Sequence, residues 1–224
     1  MNSRKELLYL ILTCLYVMIT FIANLITVKL IAVPLLPSLA IPSGLILIPF
    51  TFLITDLVAE IYGASKARLM VYLGFSLCLI SQLILMLAIK IPPHPSGYDD
   101  PEFFQTAFST VFGLSGIALV SSLIAYGLSQ MLDIRLFSFL KEVTHGKHLW
   151  IRNGVSTWVS QIIDTLVVNV LFLYCGLKLE LELVLLISLY SYMIKAVFTL
   201  INIPVFYLCV KMSNQFFKQA RVAA

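Results

Sequence analysis

Charge is the scarcest property of this 224-residue sequence: 12% of its residues are charged, while 60% are hydrophobic. Soluble domains carry about 25% charged and about 45–50% apolar residues. So few charges cannot cover a surface in water, which excludes a soluble enzyme, a secreted disulfide scaffold and a disordered protein. The composition therefore indicates an all-α polytopic membrane protein, built as a single transmembrane domain over residues 1–224. A β-barrel is excluded because its strands would be short and alternating rather than apolar for about 20 residues.

Motifs for metal, redox and phosphate chemistry are also missing. The four cysteines lie far apart in apolar runs, without a C-x-x-C pair, and His145 and His148 have no third ligand nearby. The sequence contains no G-x-x-x-x-G-K-[ST] loop, no H-E-x-x-H and no G-x-S-x-G. We therefore expect no enzyme activity, no metal and no cofactor. The dispersed basic residues also argue against a nucleic-acid partner and leave the lipid bilayer as the expected surrounding.

Long apolar runs predict six transmembrane helices, over residues 7–32, 43–62, 68–89, 111–132, 149–175 and 181–212. The first run follows Arg4 and Lys5 but exceeds the roughly 7–15 apolar residues of a signal peptide, so we expect it to be retained. Residues 91–102 are rich in proline and predict a true loop. Residues 135–141 predict a short interfacial helix.

The Lys and Arg residues predict the orientation. One set of helix ends and loops is rich in them, and the other set holds Lys90 and Lys178 among several acidic residues. The rich set comprises Arg4, Lys5, Lys66, Arg68, Arg135, Lys141, Lys147, Arg152, Lys211, Lys218 and Arg221. Because basic residues concentrate on the cytoplasmic side, both termini are predicted inside the cell. Three helices in each half then predict a 3+3 inverted repeat.

Charged residues inside the predicted spans are the first candidates for function, because a charge in the bilayer is costly. Asp56 and Glu60, at i and i+4, share one face of the second helix. Asp164 and Lys195 fall at similar depth in the fifth and sixth helices and could pair near the midplane. Arg152, at the cytoplasmic end of the fifth helix, could pair with Glu60. These pairs could fix helix packing alone, or surround a polar ligand, with Arg152 and Lys195 holding the acids charged or relaying protons.

Neutral polar residues extend this set of candidates. Ser156, Ser160 and Asp164 recur every fourth residue, so they share a face of the fifth helix. Further candidates for lining a polar cavity are Asn24, Gln161, Asn169 and Asn202, and candidates for stacking on a ligand are Phe50, Phe52, Tyr126 and Trp158. Pro49 and Pro204 predict interruptions of the second and sixth helices, and broken helices near charges are typical of transporters. Lys29, near the outer end of the first helix, could simply snorkel to the interface.

Two segments resemble a known family. Residues 52–63 read Phe-Leu-Ile-Thr-Asp-Leu-Val-Ala-Glu-Ile-Tyr-Gly, and the fifth helix carries Leu-Trp-Ile-Arg-Asn at 149–153 and Ser-Gln-Ile-Ile-Asp at 160–164. Both segments, and the whole length of the chain, resemble the queuosine precursor transporter family, the YhhQ-like vitamin uptake transporters. The resemblance implies a multi-pass protein of the cell inner membrane that imports 7-cyano-7-deazaguanine, 7-aminomethyl-7-deazaguanine or queuine for tRNA queuosine modification.

The candidate residues suit such a base. One carboxylate can accept hydrogen bonds from both the ring N–H and the exocyclic amine of a deazaguanine. Two alternatives remain open at this point. A substrate-binding subunit of an energy-coupling-factor vitamin importer would also have six spans, although the first helix lacks the Ala-x-x-x-Ala docking face of such subunits. A membrane assembly factor or channel subunit that does not transport a base is the second alternative.

Overall fold

The computed structural model describes residues 2–33, 36–144 and 149–222, and the protein is 88% helical. Within these residues, six segments are long and apolar enough to cross a membrane: Lys5–Ile26, Ser43–Tyr62, Ser65–Lys90, Pro101–Asp133, Gly154–Gly176 and Leu181–Ser213. The predicted class, an all-α membrane protein with six spans, is thereby confirmed. The predicted orientation and inverted repeat stay predictions.

The helices are α1 (Asn2–Ile26), α2 (Ile48–Tyr62), α3 (Ala64–Lys90), α4 (Pro101–Val143), α5 (Leu149–Asn169) and α6 (Leu181–Val222). Strands β1 (Leu30–Val33) and β2 (Leu36–Pro42) pair as an antiparallel hairpin between α1 and α2. A 3-10 helix, Ser43–Ile46, joins the hairpin to α2, and a π-helical segment, Val170–Gly176, continues α5.

The hairpin corrects the prediction that the first helix reaches residue 32. In the structure α1 ends at Ile26, and Leu30 pairs with Pro42 across the hairpin. β-branched residues after Ile26 and the three prolines that follow favour extended backbone over helix. Pairing the two strands supplies the backbone hydrogen bonds that a helix would otherwise have supplied.

The second span is broken, but Pro49 does not interrupt its helix as predicted. Pro49 lies in the first turn of α2, where a missing N–H breaks no helical hydrogen bond. The break comes earlier, at Leu47, between the 3-10 helix and α2. Pro204 does not interrupt its helix either, because α6 runs through it from Leu181 to Val222. The second span therefore presents an irregular stretch of backbone to its neighbours.

The fourth helix is much longer than predicted. α4 begins at Pro101, inside the predicted loop, because the Asp100 carboxylate caps it by accepting a 2.9 Å hydrogen bond from the Phe103 N–H. It then runs without interruption to Val143 and absorbs the predicted interfacial helix at 135–141. No proline stands in that stretch to end the helix. Asp133 consequently lies inside a helix, not at its end.

The junction between α2 and α3 is a single residue. Gly63 adopts φ +87°, a left-handed conformation that a side chain would disfavour, and it lets the chain reverse between two long helices. The Gly63 N–H also closes the last turn of α2 on the Ala59 carbonyl. The second and third spans are thus tightly coupled at this end.

Buried apolar side chains form two clusters, one for each half of the chain. The first joins α1, α2 and α3 around Tyr16, Val58 and Met70. The second joins α4, α6 and the π-helical segment around Phe172 and Ile187. Many of the remaining large apolar side chains are exposed, as expected for a surface that meets lipid tails. Cys14 and Cys175 are among these exposed residues.

Gly44 tests how closely the 3-10 helix must approach α1. A Cβ added there would lie 2.4 Å from the Ala23 carbonyl oxygen and 2.9 Å from the Thr27 Cβ. We expect Gly44→Ala to lower the stability of the protein by about 1–3 kcal/mol, because backbone must move to relieve the overlap.

The measurement is the thermal unfolding midpoint in detergent, with Gly113→Ala as the matched control. A Cβ at Gly113, inside α4, meets no atom within 4 Å, so helix propensity alone should raise the stability slightly. Equal midpoints for the two variants would contradict the close approach.

Candidate functional site

A cavity of about 100 Å³ lies among five of the spans. Since one water needs roughly 10–15 Å³ of such space, the cavity has room for several waters or one small molecule. The residues that line it are Tyr16, Thr20, Ala23, Asn24 and Thr27 near α1; Gly44, Ile48, Thr51, Phe52 and Thr55 of the broken second span; and Phe75, Ser122, Tyr126, Asp164 and Val168 of α3 to α5.

The broken second span and the C-terminal half of α1 build one wall of the cavity. The Ser43 N–H donates a 2.9 Å hydrogen bond to the Lys29 carbonyl, and the Ser43 hydroxyl donates to the Ile26 carbonyl. These bonds fasten the 3-10 helix to the end of α1 and bring Gly44 against Ala23. Asn24, on the same stretch of α1, is one of the predicted site residues that line the cavity.

Aromatic rings form much of the remaining wall. Phe75 and Tyr126 meet edge to face, with ring centroids 4.7 Å apart and planes at 82°. Phe52, from α2, also lines the cavity, so two of the predicted stacking residues, Phe52 and Tyr126, reach it. Phe50 is 51% exposed and Trp158 is 38% exposed, and neither contributes to this lining. The rings offer flat apolar surface for a flat ligand.

Asp164 supplies a carboxylate to the cavity wall, and Lys195, which does not line the cavity, forms an ion pair with it. The Lys195 ammonium lies 2.9 Å from Asp164 Oδ2 and also donates a 2.9 Å hydrogen bond to Thr165 Oγ1. Lys195 is 2% exposed, whereas Asp164 reaches the cavity. The ion pair predicted from the sequence is therefore present. It holds the Asp164 carboxylate in one orientation at the cavity wall.

Two further polar contacts flank the ion pair and join α5 to α6. The Gln161 amide donates to Thr199 Oγ1 at 3.2 Å, and the Asn169 amide donates to Ser188 Oγ at 3.1 Å. Both predicted residues thus serve the packing of the two helices and are absent from the cavity lining. Asn202 donates a 2.9 Å hydrogen bond to the Pro49 carbonyl and so ties α6 to the first turn of α2.

Asp133 is a polar residue of the interior that the sequence reasoning missed. Its Oδ1 accepts a 3.3 Å hydrogen bond from the Ser160 hydroxyl, and the fully buried Ser156 also hydrogen-bonds to this carboxylate. The polar face of α5, recognised from its four-residue spacing, therefore meets α4 at Asp133 as well as facing the cavity at Asp164. The signal was available: extending the fourth predicted helix by one residue would have placed a carboxylate inside it.

The other predicted acids take different places. Asp56, on α2, lies close enough to the Tyr126 hydroxyl for electrostatic interaction, as do Asp133 and Asp164. Glu60 is exposed, one turn further along α2. The side chain of Arg152 lies outside the described residues, as do His145 and His148, so the predicted Glu60–Arg152 pair stays a prediction.

The arrangement suits a flat ligand that carries N–H donors. A carboxylate accepts charge-assisted hydrogen bonds from such donors. Aromatic rings and threonine and serine hydroxyls complete the wall, giving a mostly apolar pocket with a few placed polar groups. A cavity of this kind, enclosed by spans of which one is broken, is the architecture of a membrane transporter for a small molecule.

The comparison with known families agrees with that class. Residues 42–209 match the sequence model of the family described as "Putative vitamin uptake transporter". The match covers α2 to α5 and most of α6, including Asp56, Asp164 and Lys195. The chain belongs to this family of vitamin uptake transporters.

The name of one curated relative specifies a class of substrate for that relative. The chain is 33% identical over 162 residues to a protein of Bacillus subtilis (strain 168) named "Probable queuosine precursor transporter", and the alignment covers 72% of this chain and 68% of the relative. No solved structure matches the chain.

The buried ion pair gives a direct test of the site's construction. We expect Lys195→Met to destabilise the protein by about 3 kcal/mol, because it leaves the Asp164 carboxylate without its counter-charge in a buried position. The double variant Asp164→Asn/Lys195→Met removes both charges and should regain part of the loss. Thermal midpoints in detergent measure both effects. A double variant no more stable than Lys195→Met would contradict this account of the pair.

Proposed function

We propose that this protein imports 7-deazaguanine precursors of queuosine across the cell inner membrane and so supplies tRNA modification. The substrates are 7-cyano-7-deazaguanine, 7-aminomethyl-7-deazaguanine or queuine. The observation that carries the proposal is Asp164, a lining carboxylate whose ion pair with Lys195 keeps it ready to accept N–H donors. The similarity to the Bacillus subtilis relative supports the choice of substrate.

The hydrogen-bonding edge of a deazaguanine fits a carboxylate. Its ring N–H and its exocyclic amine point the same way and can be accepted together by two carboxylate oxygens. Oδ2 already accepts from Lys195, yet each oxygen offers two lone pairs, so both can still serve a ligand. The flat ring system then packs against Phe52, Phe75 and Tyr126.

The remaining predicted residues take supporting roles in this proposal. Asn24 contacts the base from the opposite helix, and Asp56 acts near Tyr126, either on the base or on a cationic aminomethyl group. Gln161, Asn169 and Asn202 hold the helices that carry the site. Arg152, Lys195 and Glu60 balance or relay charge. The protein acts as a transporter and not as an enzyme.

Uptake by a strain unable to make the precursor tests the site. We expect Asp164→Asn to lower the apparent affinity for the base at least tenfold, since a hydrogen bond to a charged group contributes about 1.5–3 kcal/mol. Queuosine in tRNA, measured over a range of external 7-cyano-7-deazaguanine, reports the uptake. Asp56→Asn should change uptake in the same direction.

Asp99→Asn is the matched control, because it makes the same chemical change in the exposed loop between α3 and α4. Protein levels of all variants are compared by immunoblot. Wild-type uptake by Asp164→Asn at normal expression would remove the carboxylate from the mechanism. Failure of the wild-type protein to restore queuosine with any of the three precursors would overturn the proposed substrate class.

The proposed orientation, with both termini in the cytoplasm, predicts the accessibility of introduced cysteines. In a background lacking the four native cysteines, Ser96→Cys in the exposed loop after α3 should react with a membrane-impermeant maleimide in intact cells. Ser3→Cys should react only after permeabilisation, because Arg4 and Lys5 keep that end inside. The reverse pattern of labelling would invert the topology.

A further inference from the structure

Thr20 lines the cavity, and its hydroxyl is buried beside it. Two buried side-chain hydroxyls have no hydrogen-bond partner among the described residues, those of Thr20 and Ser191, and of these Thr20 lines the cavity. Thr20 is 8% exposed. The Tyr16 hydroxyl, one turn earlier on α1, is close enough to interact with it, without completing a hydrogen bond of normal geometry. A buried hydroxyl in this state costs free energy and calls for a reason.

Other threonines in the helices make a side-chain hydrogen bond to their own helix that Thr20 lacks. A helical threonine commonly donates its hydroxyl proton to the carbonyl four residues earlier. Thr13 does so to the Tyr9 carbonyl at 2.8 Å, and Thr165 to the Gln161 carbonyl at 2.7 Å. The Thr20 hydroxyl makes no such bond to its own helix. The backbone carbonyl of Thr20, by contrast, accepts a 2.9 Å hydrogen bond from the Asn24 side-chain amide.

The threonine hydroxyls of the second span cannot donate to a ligand in place of the Thr20 hydroxyl. Thr51 donates to the Ile48 carbonyl at 2.7 Å, and Thr55 donates to the Phe52 carbonyl at 2.8 Å. Asp164, as a carboxylate, can only accept. A ligand with a carbonyl oxygen beside its N–H donors therefore needs a donor from elsewhere in the wall, and the Thr20 O–H proton is unused.

We propose that the Thr20 hydroxyl donates a hydrogen bond to the ring carbonyl of the bound base and so determines specificity for oxo-purine-like ligands. Asp164 accepts from the N–H edge, and Thr20 recognises the carbonyl beside it. The contact rests on the proposed function in taking this cavity as the substrate site. A site built to hydrogen-bond a ligand group rejects an analogue lacking that group, because the protein's own buried polar atom is then left unpaired.

Thr20→Val tests the contact, because valine keeps the shape of threonine and removes the hydroxyl. Unliganded Thr20→Val should unfold at the wild-type midpoint or above it, since an unpaired buried hydroxyl has been removed. Its Kd for 7-cyano-7-deazaguanine should weaken about twofold to tenfold. For the same base with the ring carbonyl replaced by hydrogen, wild type and Thr20→Val should bind alike. Thr20→Ser should retain most of the wild-type affinity.

Thr13→Val is the matched control on the same helix. Its hydroxyl is already paired with the Tyr9 carbonyl, so the same substitution should leave the Kd unchanged and should not raise the midpoint. The thermal midpoint in detergent and the ligand-induced shift of that midpoint provide both readouts for every variant. Should Thr20→Val express poorly, Thr20→Ala is measured in the same way.

Each outcome decides the matter. Wild-type affinity in Thr20→Val, an equal loss of affinity for both bases, or a lowered unliganded midpoint would assign the hydroxyl a structural role and overturn the contact. Failure of both Thr20→Val and Thr20→Ala to fold would overturn it as well. If none of the three precursors stabilises the wild-type protein, the proposed function itself fails. If they stabilise the wild-type protein and Thr20→Val equally, the Thr20 contact alone fails.

Discussion

The ion pair between Lys195 and Asp164 constrains the rest of the structure. A lysine that is 2% exposed within a membrane span must meet an opposite charge, because neither water nor lipid can compensate it there. The pair therefore fixes α5 against α6, and the contacts of Gln161 and Asn169 on either side follow the same antiparallel register. The ion pair holds the Asp164 carboxylate at the cavity wall in one orientation before a ligand binds.

The second constraint is the irregular backbone between α1 and α2. Unpaired backbone groups are costly within a membrane, and they are tolerated where protein or a cavity surrounds them. Here the hairpin pairs its own strands, and Ser43 fastens the 3-10 helix to the end of α1. This arrangement brings Gly44 into contact with α1 and opens one side of the second span toward the cavity. The broken span and the charged pair thus contribute opposite parts of one site.

Much of the architecture was predictable because it follows from solvation. Apolar runs of about 20 residues predicted six spans, and the four-residue spacing of Ser156, Ser160 and Asp164 predicted a buried polar face. The errors arose where local signals compete. Pro49 suggested an interruption of the second helix, whereas the first turn of a helix accepts proline freely. Pro101 suggested a loop, whereas Asp100 caps a helix that begins there. Because the fourth helix was predicted to end at residue 132, Asp133 was expected outside it and was not recognised as a residue of the interior.

By itself the sequence determined that this chain belongs in a bilayer, how many times it can cross, and which charges must find partners there. These properties depend on transfer free energy and on spacing along one helix, and both can be read residue by residue. The tertiary structure alone decided that Asp164 reaches the cavity while Lys195 does not line it, and that Gln161 and Asn169 join helices. It also decided that the Thr20 hydroxyl has no hydrogen-bond partner among the described residues. Those outcomes depend on which neighbour each side chain meets, and the neighbours come from helices distant in the chain.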